Sequence, residues 1–303
     1  MAVPGAPRRS LSERALGFVL LAPAAALLLA IVVYPIAQLI WNSFFDIHLA
    51  EPWRGEPFIG LDNYRRALDD SRFWSSLGHT AIYAIVTVPG ALLVGLGLAL
   101  LANMPFRHKW PVRLGLLLPW ALPLVFSGLI FRWFFEYKQG IVNDLLTRAG
   151  IEPLAWLTDP GLAMTSICIA IVWKSSSFMA LMLLAGLQTI PRELYEAAQV
   201  DGASRWQRFV SITLPMLRPA IFVALIFRTI TAIQTFDIPY AMTGGGPGDS
   251  TETLAMYIQK TTLDFLDFGY GSALAALMFV VSMIATSSYL RYTRRSAGRG
   301  AGD

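Results

Sequence analysis

Six long apolar stretches alternate with polar connections along the chain. The first runs from Leu16 to Ile40, and the others cover about residues 80–102, 112–135, 162–187, 216–236 and 271–290. A helix rises about 1.5 Å per residue, so about 20 apolar residues cross the roughly 30 Å of bilayer hydrocarbon. Backbone polar groups in lipid must be satisfied within the spanning segment, which selects helices over open strands. The pattern predicts an all-α polytopic membrane protein with six transmembrane helices in one domain over residues 16–291. A flexible basic tail, 1–15, precedes it, and a short tail, 292–303, follows. The apolar core of a signal peptide is about 7–15 residues long, whereas Leu16–Ile40 contains 25, so an uncleaved span is expected there.

Prolines interrupt several runs: Pro23 and Pro35, Pro89, Pro119 and Pro123, and Pro219. Such residues are tolerated in membrane bundles because neighbouring helices re-satisfy the freed carbonyls. Gly90, Gly95 and Gly97 are expected to let the second helix approach its neighbours closely.

Charge sets the orientation. Segments 1–15, 103–113, 188–218 and 291–303 hold 14 basic and 5 acidic residues, against 7 basic and 15 acidic in segments 41–79, 136–161 and 237–270. The excess of Lys and Arg marks the cytoplasmic side, so both termini are expected there, in a multi-pass protein of the cell membrane. Trp41, Trp53, Trp74, Trp133 and Trp156 fall near the outer boundary, where indoles anchor. The composition agrees. Only 15% of residues are charged and the mean hydropathy is +0.53, against about 25% charged in soluble domains. The net charge of +4 is too dispersed to imply nucleic acid. The single cysteine, Cys168, excludes an intrachain disulfide and reads as a small lipid- or core-facing residue.

The connection over 188–215 differs from the rest. Pro191 suits a helix's first turn, and Glu193 and Glu196 favour its positive end. Ala197 and Ala198 are small enough for close approach by another surface. Asp201-Gly202 signals a turn, with Gly202 free to adopt a left-handed conformation. A second helix follows, capped by Ser204 and carrying Arg205, Trp206, Arg208 and Phe209. Ile212, Leu214 and Pro215 return the chain to the bilayer. Composition alone leaves open an amphipathic helix lying on lipid.

The full spacing is more specific: Glu196-Ala197-Ala198, three residues, Gly202, nine residues, Ile212, one residue, Leu214-Pro215. It resembles the cytoplasmic signature of the permease subunits of binding-protein-dependent ABC importers, matching at every position. Six spans, the run Leu187-Gln188-Thr189-Ile190-Pro191 and the turn Thr243-Gly244-Gly245-Gly246-Pro247 resemble the carbohydrate branch, with its maltose and glycerol-phosphate permeases. By overall impression the chain is most similar to the trehalose importer permease of mycobacteria. The resemblance implies the type I importer fold, in which this loop is a coupling helix seated on an ATPase. It also implies partners: a second related permease, two ATP-binding subunits that bind the ATP and Mg, and an extracytoplasmic solute-binding protein.

The chain itself reads as non-catalytic and without a cofactor. The glycines after Thr243 are not followed by the Gly-Lys-Ser/Thr of a phosphate loop. His48, His79 and His108 show no metal spacing. Polar residues within spans are functional candidates, because lipid burial is costly. The fourth run offers Lys174, Ser175, Ser176 and Ser177 with Phe178. The fifth offers Arg228, Thr231, Gln234 and Thr235, of which Arg228, Thr231 and Thr235 share one helix face. The alternative is helix-to-helix hydrogen bonding, with Lys174 and Arg228 paired to Asp237 or to a partner chain. The resemblance places the sugar-contacting positions of the maltose permease on Ile171, Lys174, Ser175 and Phe178, then on Arg228, Thr231, Ala232 and Thr235. Lys174 and Arg228 replace uncharged residues there, so the cargo stays open between a neutral disaccharide such as trehalose and an anionic solute such as a glycerol phosphodiester. An ion-coupled carrier would carry an inverted repeat and mid-membrane acids; the mid-span charges here are basic.

Overall fold

The computed structural model describes residues 12–104 and 109–299. Most of the predicted N-terminal tail, His108 and the last four residues lie outside the described residues. Among the described residues the regular secondary structure is all helical, with two isolated β-bridges in the connections. α1 (Glu13–Leu28) and α2 (Tyr34–Asn42) form one long rod through a π-helical turn at Leu29–Val33. A proline ring clashes with the carbonyl four residues back. The wide turn lies immediately before Pro35 and relieves that clash. The same device recurs at Phe209–Thr213 before Pro215. α3 (Asp62–Asp69) leads into α4 (Ser71–Asn103), whose first turn is capped by the Asp70 carboxylate accepting from Arg72 N at 2.8 Å. α4 therefore starts nine residues before the apolar run it contains.

The third apolar run is not one helix. It divides into α5 (Lys109–Ala121) and α6 (Leu124–Phe134). Pro123 has no N–H for the carbonyl of Pro119 and pushes Leu122 away from helical geometry. Five helical segments among the described residues are long and apolar enough to cross a membrane: Gly17–Asn42, Ser71–Asn103, Pro160–Gln188, Arg205–Ile233 and Phe268–Ser288. Of the six expected spanning helices, the third run, 112–135, is the one that departs: it is split between α5 and α6, each too short to cross by itself.

α7 (Ile141–Arg148) precedes α8 (Pro160–Gln188), which is the axis of the bundle. α4 packs along it, and α5, α6 and α11 (Leu214–Ile233) pack around it. Small residues set the distances. A Cβ on Gly95 would come within 2.6 Å of Met179 Cβ, and one on Gly186 within 2.7 Å of Ala220 Cβ. Gly90 also faces α8, through Val172, but Gly97 has open space and makes no such approach. Among the described residues, buried side chains gather in four clusters, one of which, Ala91, Met179 and Ala224, lies midway along the long helices. Leu183, Leu187 and Leu217 lie toward the 188–215 connection, whereas Tyr83, Ile167 and Cys168, and separately Phe73, Tyr257 and Leu274, lie toward the opposite end. Cys168 is thus a core residue. α14 (Phe268–Arg299) closes the bundle against α11 and α2.

Candidate functional site

The connection after α8 folds as an elbow. Pro191 caps α9 (Arg192–Val200) from one residue outside the predicted first turn. The helix ends as a Schellman motif. Ala203 N donates to Ala198 O at 2.9 Å, Gly202 N donates to Gln199 O at 3.1 Å, and Gly202 has φ +78°. The Asp201-Gly202 turn signal is met in geometry. α10 (Arg205–Arg208) opens on a reciprocal capping box, in which Gln207 N donates to Ser204 Oγ at 3.2 Å and Ser204 N to Gln207 Oε1 at 2.7 Å. Two tethers fix the elbow's angle: Tyr195 Oη with Thr213 Oγ1 at 2.9 Å, and Arg208 Nη1 donating to Gln199 Oε1 at 3.2 Å. Glu193, Glu196, Ala197, Asp201, Gly202 and Arg205 are all exposed, as are Val200 and Trp206, while Ala198, Ile212, Leu214 and Pro215 are half-buried. The elbow is thus locally rigid and uncovered.

A cavity of about 470 Å³ lies between α5, α6, α8 and α11. Lys174, Ser175, Phe178, Arg228, Thr231, Gln234 and Thr235 all line it, with Ile171; Ala232 does not. Sequence reasoning missed Trp120, Phe227 and Phe236 in its wall. Their only signal was an aromatic within a few residues of a proline or of the predicted polar set. The alternative in which Lys174 or Arg228 pairs with Asp237 is not met, although Asp237 lines the same cavity. Lys174, 7% exposed, donates to the carbonyls of Pro119 (2.6 Å), Trp120 (2.9 Å) and Leu122. Arg228, 4% exposed, donates to Thr87 Oγ1 at 2.6 Å and Thr231 Oγ1 at 3.3 Å, and its Nε has no partner. Among the described residues neither cation has a carboxylate within ion-pair distance. A larger apolar cleft, about 630 Å³, runs between α4, α5 and α8; it takes Ser176 and Ser177, which the sequence grouped with Lys174 and Ser175, away from the first cavity and shares no lining residue with it.

At the far end of the bundle sits a polar cluster that the sequence did not reveal. The glycine turn connects α12 (Asp237–Thr243) to α13 (Leu254–Gln259). Its Glu252 is fully buried, meeting Arg72 Nε at 2.7 Å, Arg72 Nη2 at 2.9 Å and Lys260 Nζ at 2.7 Å. Asp249 shares both cations. Burial alone would lower Lys260, but its bond to Glu252 and the nearby carboxylates hold it above the usual lysine range. Asp70 accepts from Tyr257 Oη and, at 2.6 Å, from Tyr270 Oη. Burial would raise the Asp70 carboxyl, but these bonds and backbone N–H groups keep it below the ordinary value, while burial and Asp70 push Tyr257 up to about 12. Of the indoles, Trp41, Trp53, Trp74 and Trp133 are exposed as anchors should be, whereas Trp156 donates to Asn143 Oδ1 and packs on Phe135.

Residues 91–297 match the family described as "Binding-protein-dependent transport system inner membrane component". The chain belongs to this family. It is a non-catalytic, multi-pass permease of the inner membrane, and membership implies a binding protein and an ATPase as partners. The chain is 61% identical over 284 residues to the sulfoquinovosyl glycerol transport system permease protein SmoG of Agrobacterium fabrum, covering 94% of this chain and 92% of that one. It is 39% identical to the trehalose/maltose transport system permease protein MalF of Thermococcus litoralis, over 93% and 95% of the two chains. It is 37% identical to the trehalose transport system permease protein SugA of Mycobacterium tuberculosis, over 91% and 88%, so the expectation of greatest likeness to the mycobacterial trehalose permease is corrected: the sulfoquinovosyl glycerol permease is the more similar of the two. The fold is similar to a bacterial alginate ABC transporter crystallised with its pentasaccharide-bound periplasmic protein, with a TM-score of 0.80 at 23% identity over 92% and 94% of the chains.

Proposed function

We propose that this permease forms half of the pathway of an ABC importer for a glycoside bearing an anionic group, of the sulfoquinovosyl glycerol type. One observation carries the reading: two buried cations without carboxylate partners line a cavity also furnished with hydroxyls, an amide and aromatic rings. Ser175, Thr231, Gln234 and Thr235 suit sugar hydroxyls, Phe178 suits a pyranose face, and the positive charge, with the guanidinium of Arg228 nearest to having donors to spare, suits a sulfonate. The relative at 61% identity is named for such a cargo. In this reading the broken pair α5–α6 makes a sixth crossing within the permease domain 16–291, both termini are cytoplasmic, and a related permease completes the pathway. A pair of ATPases grips the elbow through Glu193, Glu196, Ala197, Ala198, Asp201, Gly202 and Arg205, with Ile212, Leu214 and Pro215 passing its movement to α11. ATP binding favours one conformation by differential contacts, as any two-state switch requires.

The rival cargo is a neutral disaccharide such as trehalose, supported by the two relatives at 37% and 39% identity. Uptake by the assembled transporter in liposomes separates them. A point charge about 4 Å from an anion contributes about 4 kcal/mol at an effective dielectric constant of 20, well above the 1.4 kcal/mol of a tenfold change. Arg228→Ala is therefore expected to lower sulfoquinovosyl glycerol uptake at least about tenfold. Uptake of trehalose but not of the sulfonate by the unaltered transporter would overturn the proposal.

A further inference from the structure

The two cavity cations differ in what they have left to give. The ammonium of Lys174 carries three N–H donors, and all three are engaged by the carbonyls of Pro119, Trp120 and Leu122. Those carbonyls belong to the break between α5 and α6. In a continuous helix the carbonyl of Pro119 would accept from residue 123, but Pro123 has no N–H. Unpaired carbonyls away from water are costly, several kcal/mol each, and a positive charge also suits the C-terminal end of α5. Arg228 lines the same cavity; its guanidinium carries five N–H donors, donates to Thr87 and Thr231, and has a buried Nε with no partner.

We infer that Lys174 is a positioning residue that replaces the missing backbone donor at the break and so shapes the cavity wall, leaving Arg228 as the cation that meets the cargo. The wall segment in question is Trp120 to Leu124, part of the cavity lining. Sequence alone places both cations in the pathway on equal terms; the structure separates their tasks. The part given to Arg228 and the uptake measurement rest on the proposed pathway; the part given to Lys174 does not.

The test uses the assembled transporter with its binding protein. Lys174→Met is expected to accelerate hydrogen exchange of the backbone around 117–128 by about tenfold without any cargo present, the effect of about 1.4 kcal/mol. Uptake falls by a similar factor. Pro123→Ala restores an N–H four residues after Pro119, so Lys174→Met/Pro123→Ala regains at least half of the lost uptake on a logarithmic scale. A residue whose only task is to bind cargo gives no such rescue. If Lys174→Met fails to assemble, restored assembly in the double variant supports the inference and continued failure overturns it. Unchanged exchange in Lys174→Met, or lost uptake without rescue, overturns it too. Faster exchange in a transporter that never accepts the sulfonate removes the proposed cargo and leaves the role of Lys174 standing.

Discussion

The two ends of the bundle solve the same problem in opposite ways. Both hold charged residues in and around a glycine-containing turn between two short helices. At the far end the charges turn inward, and Arg72, Glu252 and Lys260 satisfy one another within the chain. At the elbow they turn outward: Glu193, Glu196, Asp201 and Arg205 are exposed, and order comes only from caps and two tethers. A surface that is rigid before anything covers it can transmit force once covered. A cluster already saturated by its own partners can hold helices together but has little left to offer another protein. On the proposed coupling role, holding and transmitting fall to different ends.

The largest way to break this contrast is to strand the buried carboxylate. Arg72→Met/Lys260→Met leaves Glu252 without a cation. Removing the partners of a buried charge costs about 3–5 kcal/mol, read as a loss of thermal stability of the assembled complex. Glu252→Gln is milder, about 1–3 kcal/mol, because Arg72 and Lys260 are 31% and 20% exposed and still share Asp249. Equal losses in the two variants would show that the cluster is not held by the burial of Glu252.

At the elbow the expected effect is on transport rather than on stability. Proline fixes φ near −65°, whereas Gly202 needs +78°. Gly202→Pro and Glu196→Lys are therefore expected to lower uptake at least about tenfold while membrane insertion and the melting temperature of the complex stay near those of the parent. Normal uptake by either variant removes the coupling role.

The smallest effect is a pH dependence confined to the far end. The folded Asp70 titrates below its unfolded value of about 3.9, so its contribution is complete above that value and fades as pH falls through the folded pKa. Lys260 titrates above its unfolded value of about 10.4, so its contribution is complete below that value and fades as pH rises through the folded pKa. Asp70→Asn should flatten the acid limb of a melting-temperature profile, by the equivalent of about 1 kcal/mol after allowing for partial exposure. An unchanged acid limb would remove Asp70 from the account.

Helix positions and the elbow were readable because hydropathy and capping are local properties. Ser204, Gly202 and Pro191 announce their roles within a few residues. The seven cavity residues were readable as two sets, since polar atoms in an apolar helix stand out. Their shared cavity needed the packing of α8 and α11 around the break at Leu122-Pro123. That break looked like one more tolerated proline, and nothing near it in sequence points to Lys174, more than 50 positions away. Glu252 escaped for the same reason: its cation Arg72 is 180 positions distant, and an acid after a glycine turn reads as solvated.

The wide turn at Phe209–Thr213 contains one residue more than ordinary helical winding would place there. Leu214 N reaches back five residues to Phe209 O instead of four. That surplus is slack stored between the elbow and α11. Taking it up would rotate the downstream helix by about 100° and shift it by about 1.5 Å, carrying Arg228, Thr231 and Thr235 with it. Pro215, whose ring crowds the carbonyl of Ser211, keeps the slack from closing unaided.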